Sequence, residues 1–318
     1  MKKSLLIFTA ALFLCACAQK NDALFKKAVR LNLEGKTAAS LKVYNTILRN
    51  NPNYFSALVN RAIIFEKMGD YKFAEQDYSR ALQIDPNNPE LLNNMGAFFT
   101  SRGMPLMGRY YLDRAIELNP YYFLAYMNRA AASTDLAEFA SAASDLNMAL
   151  EIYPGNPAAI LQKAIVDYRR SYFRQAVDGF TQYLYFYPYD AKTFFRRGMA
   201  FKGWQRYADA LGDFNMALKL NPRYVDALYN RALIHFKNVD HYAALADLNL
   251  LKTIDNRYVP AYELSGDVLA IEEPVLAVSN YLAAKKLDPD NARRYNAKIN
   301  LMNTEAGRRR VITRTFWD

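Results

Sequence analysis

Residues 191–222, AKTFFRRGMAFKGWQRYADALGDFNMALKLNP, decide the fold. Gly198, Ala210, Phe214 and Pro222 are landmarks within it, and each returns elsewhere at a spacing of 34 residues. Prolines stand at Pro52, Pro86, Pro120, Pro154, Pro188 and Pro222. The next step falls on Asn256, and one more, shortened by one residue, ends at Pro289. Small residues recur twelve positions before the prolines, from Ser40, Ala74 and Gly108 through Ala142, Ala176 and Ala210 to Ala244 and Ala277. Four positions further on stand Tyr44, Tyr78, Leu112, Leu146, Phe180, Phe214, Leu248 and Tyr281. A second small series, Ala28, Ala62, Gly96, Ala130, Ala164, Gly198, Ala232 and Gly266, precedes the prolines by twenty-four. Self-similarity at such a period marks a repeat array, in which each unit buries its apolar face only against its neighbours.

This pattern resembles the tetratricopeptide repeat. The resemblance implies two antiparallel helices, A and B, per unit, with the small residues where the helices cross and the large residue filling the gap beside them. Proline ends the unit because it cannot continue helix B. The expected fold is all-α: a right-handed superhelical solenoid of about eight helix pairs over 21–291, plus a C-terminal capping helix over 292–306. Tyr295, Ile299 and Met302 supply the apolar side of that cap, which covers the exposed end of a solenoid. A basic tail, 307–318, follows.

The N-terminus reads as an address. Lys2 and Lys3 precede a run of ten almost wholly apolar residues, Leu5 to Leu14, too short to span a bilayer and suited to the core of a signal peptide. Leu14-Cys15-Ala16-Cys17 resembles the bacterial lipobox, which implies a signal peptide at 1–16 and a lipidated Cys17 opening the segment 17–20. Ala18, rather than Asp, beside that Cys points by the same resemblance to the outer membrane, with the chain facing the periplasm. The anchor would be several acyl chains, since one alone holds only marginally.

Composition excludes more than it offers. The 318 residues include 2 Cys, 2 His and 12 Gly, which leaves no disulfide scaffold and argues against a zinc site or a Gly-rich phosphate loop. His235 and His241 are six apart, not the i, i+4 of a helical metal pair, and His235 stands where other units have Phe65, Phe99 or Phe201. Carboxylates scatter mostly over solvated turns such as Asp85, Asp255 and Asp288, and none pair for proton transfer. No enzyme activity, cofactor or metal is expected. Net charge is +10, and +8 without Lys2 and Lys3. In a periplasmic chain this points to anionic lipid or an acidic partner rather than nucleic acid.

Helix A of the repeat lines the concave groove, and the resemblance places its groove positions in two series. The sixth position carries Asn60, Asn94, Asn128, Gln162, Arg196 and Asn230. Such an amide ladder is similar to one in sugar-transferase superhelices that bind peptide backbone; Asn is also simply common there. The fifth and ninth positions are apolar, including Met127, Leu161, Phe195, Tyr229 and Met199. Chaperone-type repeats that clamp a terminal carboxylate place Lys and Asn at those positions, so this chain departs from them. Tyr168, Phe236 and Lys202 extend the surface at the twelfth position. An apolar groove with an amide edge suits an extended or amphipathic partner segment. The alternative is that tight coiling buries these side chains against the next repeat.

Two local features stand apart. Repeats 4 and 5 are irregular. Repeat 4 is Ala- and Ser-rich, while repeat 5 has Asp167 in place of an aromatic and Tyr183 in place of Ala, with Gly179 one turn earlier making room for that ring. Leu184 and Phe186 are expected inward, and Tyr185 and Tyr187 outward, so that repeats 4–5 form a hinge or a self-association face; homodimerisation stays open. From Asp290 to Asp318 there are seven basic and three acidic residues. Within that span Val311–Trp317 alternates and is β-prone, suited either to strand addition or to lying in the chain's own groove.

The whole reads as a lipid-anchored adaptor binding protein partners in the bacterial envelope. It is similar to repeat lipoproteins that help assemble type IV pilus secretins and to those that gather peptidoglycan hydrolases and proteases. The alternatives are a carbohydrate- or peptidoglycan-binding module and a non-catalytic subunit of an envelope secretion or assembly machine.

Overall fold

The computed structural model describes residues 20–317, with side chains over 20–311. The expected signal peptide and Cys17 lie outside the described residues. Every described element is helical, and the helices divide into two compact units that meet in sequence at Pro154 and Gly155, the junction of the fourth and fifth repeats.

The first unit holds α1 (20–33), α2 (Thr37–Asn50), α3 (Phe55–Met68), α4 (Tyr71–Ile84), α5 (Pro89–Ser101), α6 (Pro105–Leu118), α7 (Phe123–Asp135) and α8 (Phe139–Ile152). The second holds α9 (Pro157–Arg169), α10 (Phe173–Phe186), α11 (Ala191–Gly203), α12 (Tyr207–Leu220), α13 (Val225–Lys237), α14 (His241–Ile254), α15 (Val259–Leu269) and α16 (Pro274–Leu287). It continues through a 3-10 turn, Pro289–Asn291, to α17 (Ala292–Leu301) and α18 (Glu305–Trp317). The all-α class and the helix-pair repeat stand as the period implies. The one-residue shortening of the eighth repeat falls at the α15–α16 turn, where α15 has 11 residues against 13 in α13.

The small residues do what the crossing requires. A Cβ on Gly96 of α5 would lie 2.4 Å from Leu112, and one on Gly108 of α6 would lie 2.7 Å from the Gly96 carbonyl. In α15, Gly266 leaves room for the Tyr281 ring in the same way. Tyr44, Tyr78, Phe180, Phe214 and Tyr281 are fully buried, so most of the aromatic excess is core. Gly179 differs from its expected role. Its missing side chain admits Ala164 of the crossing helix α9 rather than the Tyr183 ring, which stacks on Tyr187 at 4.8 Å.

Asp85, Asp255 and Asp288 lie in turns as expected, but four other aspartates are buried on helices. Asp77, Asp145, Asp213 and Asp247 are each 5% exposed or less. Each accepts two hydrogen bonds from the arginine sixteen residues earlier, Arg61, Arg129, Arg197 and Arg231, at 2.6–3.0 Å. The remaining arm of each guanidinium reaches sixteen residues back, to Asn45, Asp113, Thr181 or Asn215. One helix-A arginine thus ties helix B of its own repeat to helix B of the preceding one. Planar, bidentate geometry makes these the strong form of ion pair. For Arg129, burial opposes the charge, but Asp145 and then Asp113 outweigh it and hold its pKa above the ordinary value.

Repeats 1, 3, 5 and 8 lack the pair; in repeat 1 the register holds Lys27 and Val43. Met95 faces Tyr111 in sequence register, and Lys163 turns instead to Asp167 at 2.7 Å within its own helix. In repeat 8, Lys252 of α14 bridges to Ser265 at 3.1 Å and Asn280 at 3.3 Å.

The tail departs from its expected strand character. Residues 305–317 form α18, packed on α15 and α17. The Thr304 hydroxyl accepts from the Gly307 amide at 3.0 Å, which caps the first turn, and Glu305 pairs with Arg309 one turn on at 2.7 Å. Val311 is buried beside Leu269, Tyr281 and Met302. Cap and burial together override the local alternation.

Gly108→Ala is expected to lower stability by about 1–3 kcal/mol despite the better helix propensity of Ala, because backbone lies where the methyl would go. Gly212→Ala in α12, with nothing within 4 Å, is expected to raise it by about 0.5–1 kcal/mol. Thermal melts of the two variants check the contrast. A double-mutant cycle on Arg231→Ala and Asp247→Ala should give a coupling of about 1–3 kcal/mol, whereas an exposed pair such as Arg309 and Glu305 should give under about 1 kcal/mol.

Candidate functional site: an apolar groove with a cationic edge

The second unit contains a groove of about 970 Å³ lined from α9 to α18. Regular stacking of α9, α11, α13 and α15 brings one to three side chains per repeat to this face: Tyr168, then Met199 and Lys202, then Tyr229, Leu233 and Phe236, then Leu264. Helix-B aromatics close its sides. Phe173 reaches in beside Gly203, whose missing Cβ would otherwise lie 2.5 Å from that ring, and Tyr168 meets Phe173 edge-on at 5.9 Å. Arg294, Ala297, Lys298 and Leu301 of α17 and Val311 of α18 form one wall, so the C-terminal helices are part of the site.

Charge is distributed unevenly around this apolar lining. Glu263 forms ion pairs with Lys298 at 2.7 Å and Arg294 at 2.9 Å, and Lys298 also holds both oxygens of Asp267 at 2.7 and 2.9 Å. Tyr281 adds a 2.8 Å bond to Asp267 from below. Lys202 donates to the Asn230 amide oxygen at 2.8 Å, and Lys237 to the Tyr207 hydroxyl at 2.8 Å. Burial, then the Lys237 charge, pulls the Lys202 ammonium below its ordinary pKa. Burial pushes the Tyr229 hydroxyl up to about 12, so the ring stays neutral at physiological pH.

The other expected site residues are placed as follows. Tyr168, Met199, Tyr229 and Phe236 share the groove. Phe236, expected to extend an exposed surface, is 1% exposed and serves as its floor, packed among Leu228, Leu264 and their neighbours. Phe195 is half-buried against Tyr224 at 5.0 Å and Phe214 at 5.8 Å, and Leu161 packs half-buried near Phe180. Met127, in the first unit, is buried.

The amide series forms no uniform ladder. Asn60 donates to its own helix at Ser56, Asn128 donates to Asn93, and Asn94 accepts weakly from Asn93 at 3.4 Å. Asn230 is engaged at both ends by Lys202 and Asp226, while Gln162 and Arg196 are half-buried. Phe186, expected inward, is 48% exposed; Tyr185 and Tyr189 are 85% and 83% exposed. His235 is half-buried near Asp240.

Sequence reasoning missed Phe173, Tyr207, Lys237 and Val311. The first two carried a signal: helix B opens on an aromatic at Tyr71, Phe139, Phe173 and Tyr207, all on the 34-residue grid. Val311 carried none, since its burial depends on where α18 docks. Among the described residues, no group of three or more His, Cys, Asp or Glu is placed to hold a metal ion, and no helix is long and apolar enough to cross a membrane.

Family models of the tetratricopeptide repeat match residues 55–88 and 195–258. Over the described residues the fold is all-α and built of tetratricopeptide-like helix pairs. No curated protein matches it. Among solved structures it is similar to PilW, described as a widely conserved type IV pilus biogenesis factor. Identity is 21% and the TM-score 0.60, with 65% of this chain and 95% of PilW covered. It is similar to PilF of Pseudomonas aeruginosa at 19% identity and a TM-score of 0.61, covering 68% and 99%. A tetratricopeptide repeat protein of Parabacteroides merdae follows at 18% and 0.56, covering 78% and 98%. At these identities the likeness is one of fold, and none of the three is described as an enzyme.

Proposed function

We propose that the protein is a lipid-anchored, non-catalytic subunit of a bacterial envelope assembly or secretion machine, holding a segment of a partner protein in the groove of its second unit. The observation that carries this reading is the groove itself, roomy enough for a peptide segment and lined by Tyr168, Met199, Tyr229 and Leu233 above a Phe236 floor. The likeness to PilW, a pilus biogenesis factor, weighs toward an assembly subunit over a general envelope scaffold. The anchor rests on Leu14-Cys15-Ala16-Cys17, and an outer-membrane, periplasm-facing position on Ala18. A glycan-binding role has less support, because Tyr229 lies edge-on to Tyr258 at 5.7 Å and Phe195 lies on Tyr224, which leaves little ring face for a sugar.

A photo-crosslinking residue at Tyr229 or Met199, introduced in cells, is expected to give the same dominant adduct, identified as an envelope assembly component. The same residue at Tyr121 or Tyr242, which are 79% and 87% exposed, should not give it. Equal adducts from all four positions, or none from the groove, contradict the proposal. Cys17→Ser should move the protein from the membrane to the soluble fraction; unchanged fractionation contradicts lipid anchoring.

A further inference from the structure

We infer that the groove seats an internal acidic side chain of the partner segment, an Asp or Glu flanked by apolar or aromatic residues, with its carboxylate received between Lys202 and Lys237. This deepens the proposed docking role and rests on it.

The reason is an uncompensated pair of cations. Four basic side chains line the groove, Lys202, Lys237, Arg294 and Lys298, against two carboxylates, Glu263 and Asp267. Both carboxylates are already met from α17. Lys202 and Lys237 donate to the neutral oxygens of Asn230 and Tyr207, Lys237 also lies over the Tyr207 ring at 4.3 Å, and no carboxylate pairs with either among the described residues. Lys202 is half-buried on α11, and Lys237 stands at the exposed rim on α13. Two ammonium groups beside an apolar wall are costly unless an anion lies between them. Tyr207 adds a third group. Its oxygen accepts from Lys237, which leaves its own proton free to be given to an incoming oxygen.

The surroundings define the rest of the ligand. Tyr168 on α9 and Phe173 on α10 precede the two lysine-bearing helices in the stack, and Leu264 on α15 follows them, with Leu233 and Phe236 on α13 itself. A chain crossing the groove therefore offers apolar side chains before and after the acid, which makes the carboxylate internal rather than terminal. The positions that clamp a terminal carboxylate in chaperone-type repeats are apolar here, at Phe195, Tyr229, Met199 and Leu233. The cation pair sits at the twelfth and thirteenth positions of successive units instead.

The test selects twelve-residue segments, displayed between two folded domains so that no free terminus is offered, on the full chain. Selected segments are then synthesised with acetylated and amidated ends for fluorescence anisotropy. The expected result is an Asp or Glu at one fixed place beside Leu, Phe or Tyr. Replacing it by Asn or Gln should weaken binding about tenfold or more, as should Lys202→Met or Lys237→Met, and the losses should not add. Circular dichroism confirms that the variants fold, and Lys237→Met at the rim carries the test if Lys202→Met does not. Selection of apolar segments with no acid preference, or equal binding by the Gln peptide, overturns the inference and leaves the docking role standing. Binding that appears only with a free α-carboxylate also overturns it. If no segment is selected at all, the docking role fails with it.

Discussion

In four of the repeats a single side chain fixes the register of the helices. The arginine of helix A grips the buried aspartate of its own helix B with two parallel bonds and reaches the preceding helix B with its remaining arm, as Arg231 does with Asp247 and Asn215. Apolar packing alone tolerates sliding, because Ala, Leu and Met surfaces are forgiving of small shifts. A planar fork on a carboxylate is not. Breaking such a pair leaves a buried charge unmet, which costs more than the pair contributes when intact.

That register makes the groove possible. The face lined by Tyr168, Met199, Tyr229, Leu233 and Leu264 is assembled from four different helices, so a shift of one helix would break the lining. The C-terminal helices then do two things at once. Val311 and Met302 cover the apolar end of the last repeat, and Lys298 and Arg294 neutralise Glu263 and Asp267 at the groove wall. The charge left over is positive and lies on α11 and α13.

The fold was legible because its signal repeats. Eight appearances of a small residue at the crossing and a large one four positions later state the same packing eight times. The arginine pairs were legible as well, since Arg61, Arg129, Arg197 and Arg231 each follow the sixth position of a unit and stand sixteen residues before an aspartate. What the sequence could not show was long-range or local in the wrong sense. The strand-like alternation after Val311 yields to a Thr304 cap and to a docking surface about forty positions earlier in the chain, at Leu269 of α15. The amide series looked uniform in sequence, yet each Asn is drawn to a different near neighbour. Lys202 and Lys237 became a site only when the fold placed them on one groove without a carboxylate.

Amide hydrogen exchange on Arg231→Leu tests most directly whether these bridges hold the repeats that frame the groove. If they do, protection falls several-fold in α12 and α14 together, the two helices that Arg231 joins, while the first unit keeps its own. Unchanged protection in α12 and α14, or a loss confined to α13, would contradict the account.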